Sequence, residues 1–60
     1  MKKVYVPCKA VITDGYLKDH EGVVVGCDSE SEEVEIKLDE ITFVTLKVDF
    51  IDQSKFIKKN

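Results

Sequence analysis

The stretch Glu33–Asp39 constrains this chain more than any other. Its residues alternate: Glu33, Glu35, Lys37 and Asp39 are charged, and Val34, Ile36 and Leu38 between them are apolar. Successive side chains of a strand point to opposite faces, so a period of two puts one face on a core and the other in water.

The flanking sequence supplies the other strands. Cys8–Thr13 is rich in apolar and β-branched residues and reads as the first strand. Val4–Val6 is a short extended segment. Pro7 cannot donate to a ladder and suits the start of a strand. Asp14-Gly15 is a turn signal, and Tyr16–Glu21 is a polar loop too short for a stable helix. Gly22 opens the strand of Val23, Val24 and Val25, and Gly26 inside that pattern predicts a bulge or bend. Both glycines are expected to be backbone-critical.

Asp28-Ser29-Glu30-Ser31-Glu32 is a turn. Glu40–Ile41 is a short connection to a strand over Thr42–Val48, with Val44, Leu46 and Val48 on one face and Phe43, Thr45 and Lys47 on the other. Asp49–Gln53 is expected to form a 3₁₀ turn with Phe50 and Ile51 tucked under it. Phe56–Lys58 is expected to be the last strand.

That pattern is all-β: about five short strands, no helix and tight turns. The chain has 60 residues. One this short buries only about 60% of the surface that its unfolded form exposes, so it holds one domain and no deep cleft. A bent sheet that closes on itself covers its edges and buries one face. The expected architecture is a single five-stranded SH3-like barrel with its core over about residues 8–58.

Charge narrows the partners. The formal net charge is −3 and every one of the nine basic residues is lysine. Nucleic-acid binders carry a basic excess and favour arginine for bidentate contacts, so nucleic acid is disfavoured. No apolar h-region follows Met1-Lys2-Lys3, and no apolar run approaches the roughly 18 residues of a membrane span. The expectation is a cytoplasmic monomer away from membranes, with two reduced cysteines. Pairing Val11 with Val24 would place Cys8 opposite Cys27.

The segment Val11–Asp28, VITDGYLKDHEGVVVGCD, resembles the KOW motif: a strand ending in β-branched residues, Asp-Gly, an aromatic, a polar loop, a glycine, three valines and an aspartate. The likeness runs on through DSESEEVEIKLD and TLKVDFIDQS, over roughly residues 8–55. It is similar to the C-terminal domain of the NusG transcription factor family. The resemblance implies a five-stranded SH3-like barrel that binds protein or RNA through its loops. Two departures matter: this stretch has no counterpart of the polymerase-binding N-terminal domain of NusG, and it is acidic where ribosomal KOW proteins are basic. What is expected is a stand-alone KOW-like module, tied to transcription, translation or a mobile element.

Several residues are candidates for contact. In the 14–21 loop, Tyr16, Leu17, Lys18 and His20 are candidate partner-binding residues; the Tyr16 ring either meets a partner or lies over the barrel mouth. Phe43 either stands outward beside the 39–42 connection, extending that patch, or turns into the core through a bulge. Glu30, Glu32, Glu33, Glu35, Asp39 and Glu40 read as a solvated face that deters edge pairing, with docking of a basic partner as the other reading. Lys3, Lys9, Lys55, Lys58 and Lys59, with Lys2, are the candidate nucleic-acid contacts if the termini lie together.

His20, Cys8 and Cys27 are too few and too scattered for a structural zinc, so no metal and no cofactor is expected. No nucleophile, phosphate-loop or zinc-protease motif is present, and Asp19, His20 and Glu21 are adjacent in one loop, so no catalytic residue is assigned. The leading expectation is a non-enzymatic protein-binding module using loop 14–21 and connection 39–43. Nucleic-acid binding and a structural role in a mobile-element assembly are the alternatives.

Overall fold

A computed structural model describes residues 3–57. Strands β1 (Cys8–Ile12), β2 (Glu21–Asp28), β3 (Glu33–Lys37) and β4 (Phe43–Lys47) form an antiparallel meander. A 3₁₀ turn over Val48–Phe50 leads into β5 (Ile51–Asp52), and a second covers Ser54–Phe56. The strand order is β4-β3-β2-β1-β5, one curled sheet with the last strand placed beside the first. It is a half-barrel of the small SH3-like class.

The alternation around β3 sets the core. Val34 and Ile36 are buried and Leu38 packs against the cluster, while Glu35 and Lys37 face out. Ala10 and Ile12 from β1, Val24 from β2, Val48 from the first 3₁₀ turn and Ile51 from β5 complete it, with Val44 and Leu46 half-buried against it. Fully burying one such aliphatic side chain stabilises the fold by about 1.5–3 kcal/mol.

The β2–β3 ladder shifts between Val24 and Gly26, which leaves Val25 as the extra residue of a bulge. A Cβ on Gly26 would meet only Glu35 atoms, at 3.7 and 3.9 Å, so space does not demand glycine there. Gly22 differs: a Cβ would come within 2.6 Å of Ile36 Cγ2 and 2.8 Å of the Lys37 carbonyl oxygen. β2 can cross β3 this closely only without a side chain at Gly22.

Three expectations of register, strand and turn fail. The register pairs Val11 with Glu21 and Cys8 with Val24, so Cys8 and Cys27 do not face each other. Parity explains it: Ala10, Ile12 and Val24 all point into the core. Pairing Val11 with Val24 would oppose an outward residue to an inward one. The last strand is Ile51–Asp52 and not Phe56–Lys58; it interrupts the 3₁₀ turn expected over Asp49–Gln53, which covers Val48–Phe50 instead, and Ser54–Phe56 is a second 3₁₀ turn. Ile51 is buried opposite Ile12, and the Asp52 side chain accepts the Ser54 N–H at 2.9 Å, which bends the chain away from the ladder. Lys58 lies outside the described residues. Val4–Val6 joins no strand, and Pro7 directly precedes β1.

The N-terminal segment is held by a side chain. Gln53 is 5% exposed. Its Oε1 accepts the Tyr5 N–H at 2.8 Å, and its Nε2 donates to the Tyr5 carbonyl at 2.9 Å and to the Cys8 carbonyl at 3.4 Å. A primary amide offers the same donor and acceptor as a peptide group, so Gln53 does for Tyr5 what a neighbouring strand would do.

Candidate functional site

Two loops lie at the end of the sheet where β1 finishes and β2 begins. The first spans residues 13–20. Its neck is closed by the Ile12 N–H donating to the His20 carbonyl at 2.8 Å and the Asp19 N–H donating to the Ile12 carbonyl at 2.7 Å. Within it, Lys18 N–H donates to Gly15 O at 3.2 Å and His20 N–H to Leu17 O at 3.0 Å. Gly15 has φ +86° and Asp19 φ +77°, the left-handed region that glycine tolerates and aspartate visits more readily than most residues. The Phe50 ring packs beside Gly15, and the Phe50 carbonyl accepts the Thr13 N–H at 2.7 Å. The loop is therefore fixed to the body of the fold at both ends.

The second loop joins β3 to β4. Leu38 N–H donates to Thr42 O at 2.8 Å. Asp39 Oδ1 accepts the N–H groups of Ile41 at 3.0 Å and Thr42 at 2.9 Å, an Asx-type turn. The Ile41 backbone bond holds the Asp39 carboxyl below its ordinary pKa, with Thr42 adding to the effect. With both neighbouring N–H groups tied to Asp39, the Ile41 side chain stands clear of the core.

These loops determine what is exposed. Tyr16 and Ile41 are each 88% exposed and Phe43 is 50% exposed. The Tyr16 ring does not lie over the barrel mouth. The register of β4 against β3 is continuous, with no bulge, so Phe43 stays on the outer face opposite Lys37. Lys18 and His20 are exposed on the same loop as Tyr16, and Leu17 turns inward and packs on the core. The shared sheet end follows from the ladder, in which Glu21 of β2 starts at Val11 and Lys37 of β3 ends at Phe43. Ile41 enters the sequence expectations only as part of the 39–43 connection. The signal was available: an apolar residue two positions after an aspartate in a short connection.

The candidate nucleic-acid lysines gather in part. Lys9 Nζ and Lys55 Nζ lie 5.6 and 5.1 Å from the centre of the Phe56 ring, and Lys3 Nζ lies 5.5 Å from that of Tyr5. Lys55 also pairs with Glu21 at 3.2 Å. Lys2, Lys58 and Lys59 lie outside the described residues. The acidic residues Glu30, Glu32, Glu35 and Glu40 are exposed. Cys8 is half-buried and Cys27 exposed, both as free thiols. Among the described residues, no group of three His, Cys, Asp or Glu is placed to hold a metal ion, and no helix is long and apolar enough to cross a membrane.

Fold and loops together define a class: a small SH3-like half-barrel that carries its most exposed apolar side chains on two anchored loops at one end. Set against known protein families, curated proteins and solved structures, the chain finds no match.

Proposed function

We propose that this chain is a non-enzymatic KOW-like binding module that docks a protein partner through the end bearing Tyr16, Ile41 and Phe43. One observation carries the reading. The two most exposed large apolar side chains sit on different loops at the same end of the sheet, and each loop is tied down by its own hydrogen bonds. Rigid aromatic and aliphatic anchors lose little entropy on binding, and such residues supply the energetic centre of interfaces. Lys18 and His20 provide a polar rim beside Tyr16. The strand order, the close-packed Gly22 and the resemblance over residues 8–55 support the KOW reading. The resemblance supports a role in transcription, translation or a mobile element, and the module is proposed to work as a cytoplasmic monomer.

The test is affinity capture from a lysate of the source cell, with wild type and Tyr16→Ala/Phe43→Ala protein as baits. A partner retained by the wild type and lost by the double variant is expected. An unchanged set of captured proteins overturns the surface assignment.

A second reading rests on Lys9 and Lys55 converging on Phe56. Lysines beside an aromatic ring suit a single-stranded nucleic acid. The Glu21–Lys55 pair and the net charge of −3 place this reading second. It requires binding to mixed RNA or DNA at low salt that falls steeply as salt rises; no binding at low salt removes it.

A further inference from the structure

Away from the two loops, a cavity of about 410 Å³ lies where β2 ends, β4 ends and the first 3₁₀ turn begins. Tyr16, Ile41 and Phe43 are not in its lining, and Phe50, which also packs beside Gly15, is its link to the first loop. Its apolar part is Val4, Val48 and Phe50, and its rim carries the carboxylates of Asp28, Glu32 and Asp49. The size falls within the range of sites that take a ligand group.

The charges on the rim are open. Lys47, the one cation in the lining, donates its Nζ to the Ser31 carbonyl at 3.1 Å. Among the described residues no lysine forms an ion pair with Asp28, Glu32 or Asp49; Lys55 pairs with Glu21, and neither lines the cavity. Asp28 spends Oδ1 on the Glu30 and Ser31 N–H groups, at 2.9 and 3.4 Å, which fixes its carboxylate at the edge of the cavity. Glu32 sits at φ +57°, a conformation in which glycine or asparagine is less strained.

We propose that this cavity receives a lysine or arginine side chain from a basic segment of a partner protein. Such a side chain has an apolar stem and a cationic head. The stem matches Val4, Val48 and Phe50, and the head matches the three carboxylates, which leave the lining at −2 after Lys47 is counted. The same carboxylates repel phosphate, so nucleic acid is excluded from this site. The module then has two docking surfaces, an apolar one at the loop end and an acidic pocket elsewhere.

The experiment is a titration of ¹⁵N-labelled protein with acetyl-leucyl-arginine methylamide, with acetyl-leucyl-glutamate methylamide as control. Saturable shifts are expected for the amides of Cys27–Glu32 and Val48–Phe50 with the arginine probe, and not with the control. Neutralising two exposed rim charges in Glu32→Gln/Asp49→Asn is expected to weaken binding roughly fivefold. Glu32→Gly removes one carboxylate and the backbone strain together, so it is expected to fold at least as well and still bind more weakly. Tyr16→Ala is expected to bind the probe like the wild type, which separates this site from the loop surface. Absence of shifts at millimolar probe, shifts spread evenly over Glu30, Glu35 and Glu40, or equal shifts with the acidic control would each overturn the proposal.

Discussion

Gln53 and Tyr5 hold each other by reciprocal hydrogen bonds, one accepted by the side-chain Oε1 at 2.8 Å and one donated by Nε2 at 2.9 Å. A buried amide thus stands in for a strand partner at the end of the sheet. Gln53→Leu keeps the bulk and removes both polar atoms, leaving the Tyr5 peptide groups without that partner. The expected loss is about 1–2 kcal/mol. In a domain of this size that lowers Tm by roughly 5–10 °C, read by circular dichroism. An unchanged Tm would mean that water replaces the amide at no cost.

Gly22→Ala is expected to be among the most damaging single-methyl changes. Its Cβ would press on a backbone oxygen as well as on Ile36. The side chain can move and the carbonyl cannot, so the β2–β3 ladder must open. A cost of about 2 kcal/mol or more is expected in urea unfolding. Gly26→Ala, with its nearest atoms at 3.7 Å, is expected to be neutral or stabilising by up to about 1 kcal/mol. Equal effects at the two positions would refute the close-approach account.

Asp39 gives the 38–42 loop a pH dependence. Its carboxyl titrates lower in the folded protein than in the unfolded chain, because the ionised form accepts the Ile41 and Thr42 N–H bonds. The stabilisation is complete above the unfolded pKa and fades as pH falls through the folded one. The stability difference between wild type and Asp39→Ala should therefore shrink on acidification below about pH 4. A difference that stays constant down to about pH 2 would show that the turn does not depend on the charge.

Tyr16→Ala and Ile41→Ala should leave stability within about 0.5 kcal/mol of wild type, because both side chains are almost wholly in solvent. Phe43→Ala should cost more, about 1 kcal/mol, since the residue is only 50% exposed. If these variants unfold the protein in the same assay, the residues belong to the scaffold and the loop-end surface loses its basis.

Much of this fold is legible in the residues, and the failures have physical causes. The alternation of Val34, Ile36 and Leu38 locates β3 and its buried face, and Val44 and Leu46 do the same for β4. Register is harder to read. Valines on both strands allow several pairings of β1 with β2, and only the shared inward parity of Ala10, Ile12 and Val24 selects one. β5 escapes notice because it is two residues long, flanked by 3₁₀ turns, and identified by one buried isoleucine. At the site, Tyr16 and Phe43 stand out as aromatics, whereas Ile41 is exposed through the Asp39 turn, a side-chain-to-backbone relation that periodicity does not carry.

The clasp between Gln53 and Tyr5 also bears on how the molecule comes apart. β1 to β4 pair as a meander, each strand with its neighbour in the chain, so their contacts form after short loop closures. Seating β5 against β1 and Gln53 against Tyr5 closes a loop that spans most of the chain, and a transition state built from local contacts reaches those interactions late. Weakening the clasp should then speed unfolding and leave the refolding rate nearly unchanged. On that outcome the amide of Gln53 sets the native state's lifetime more than its rate of formation.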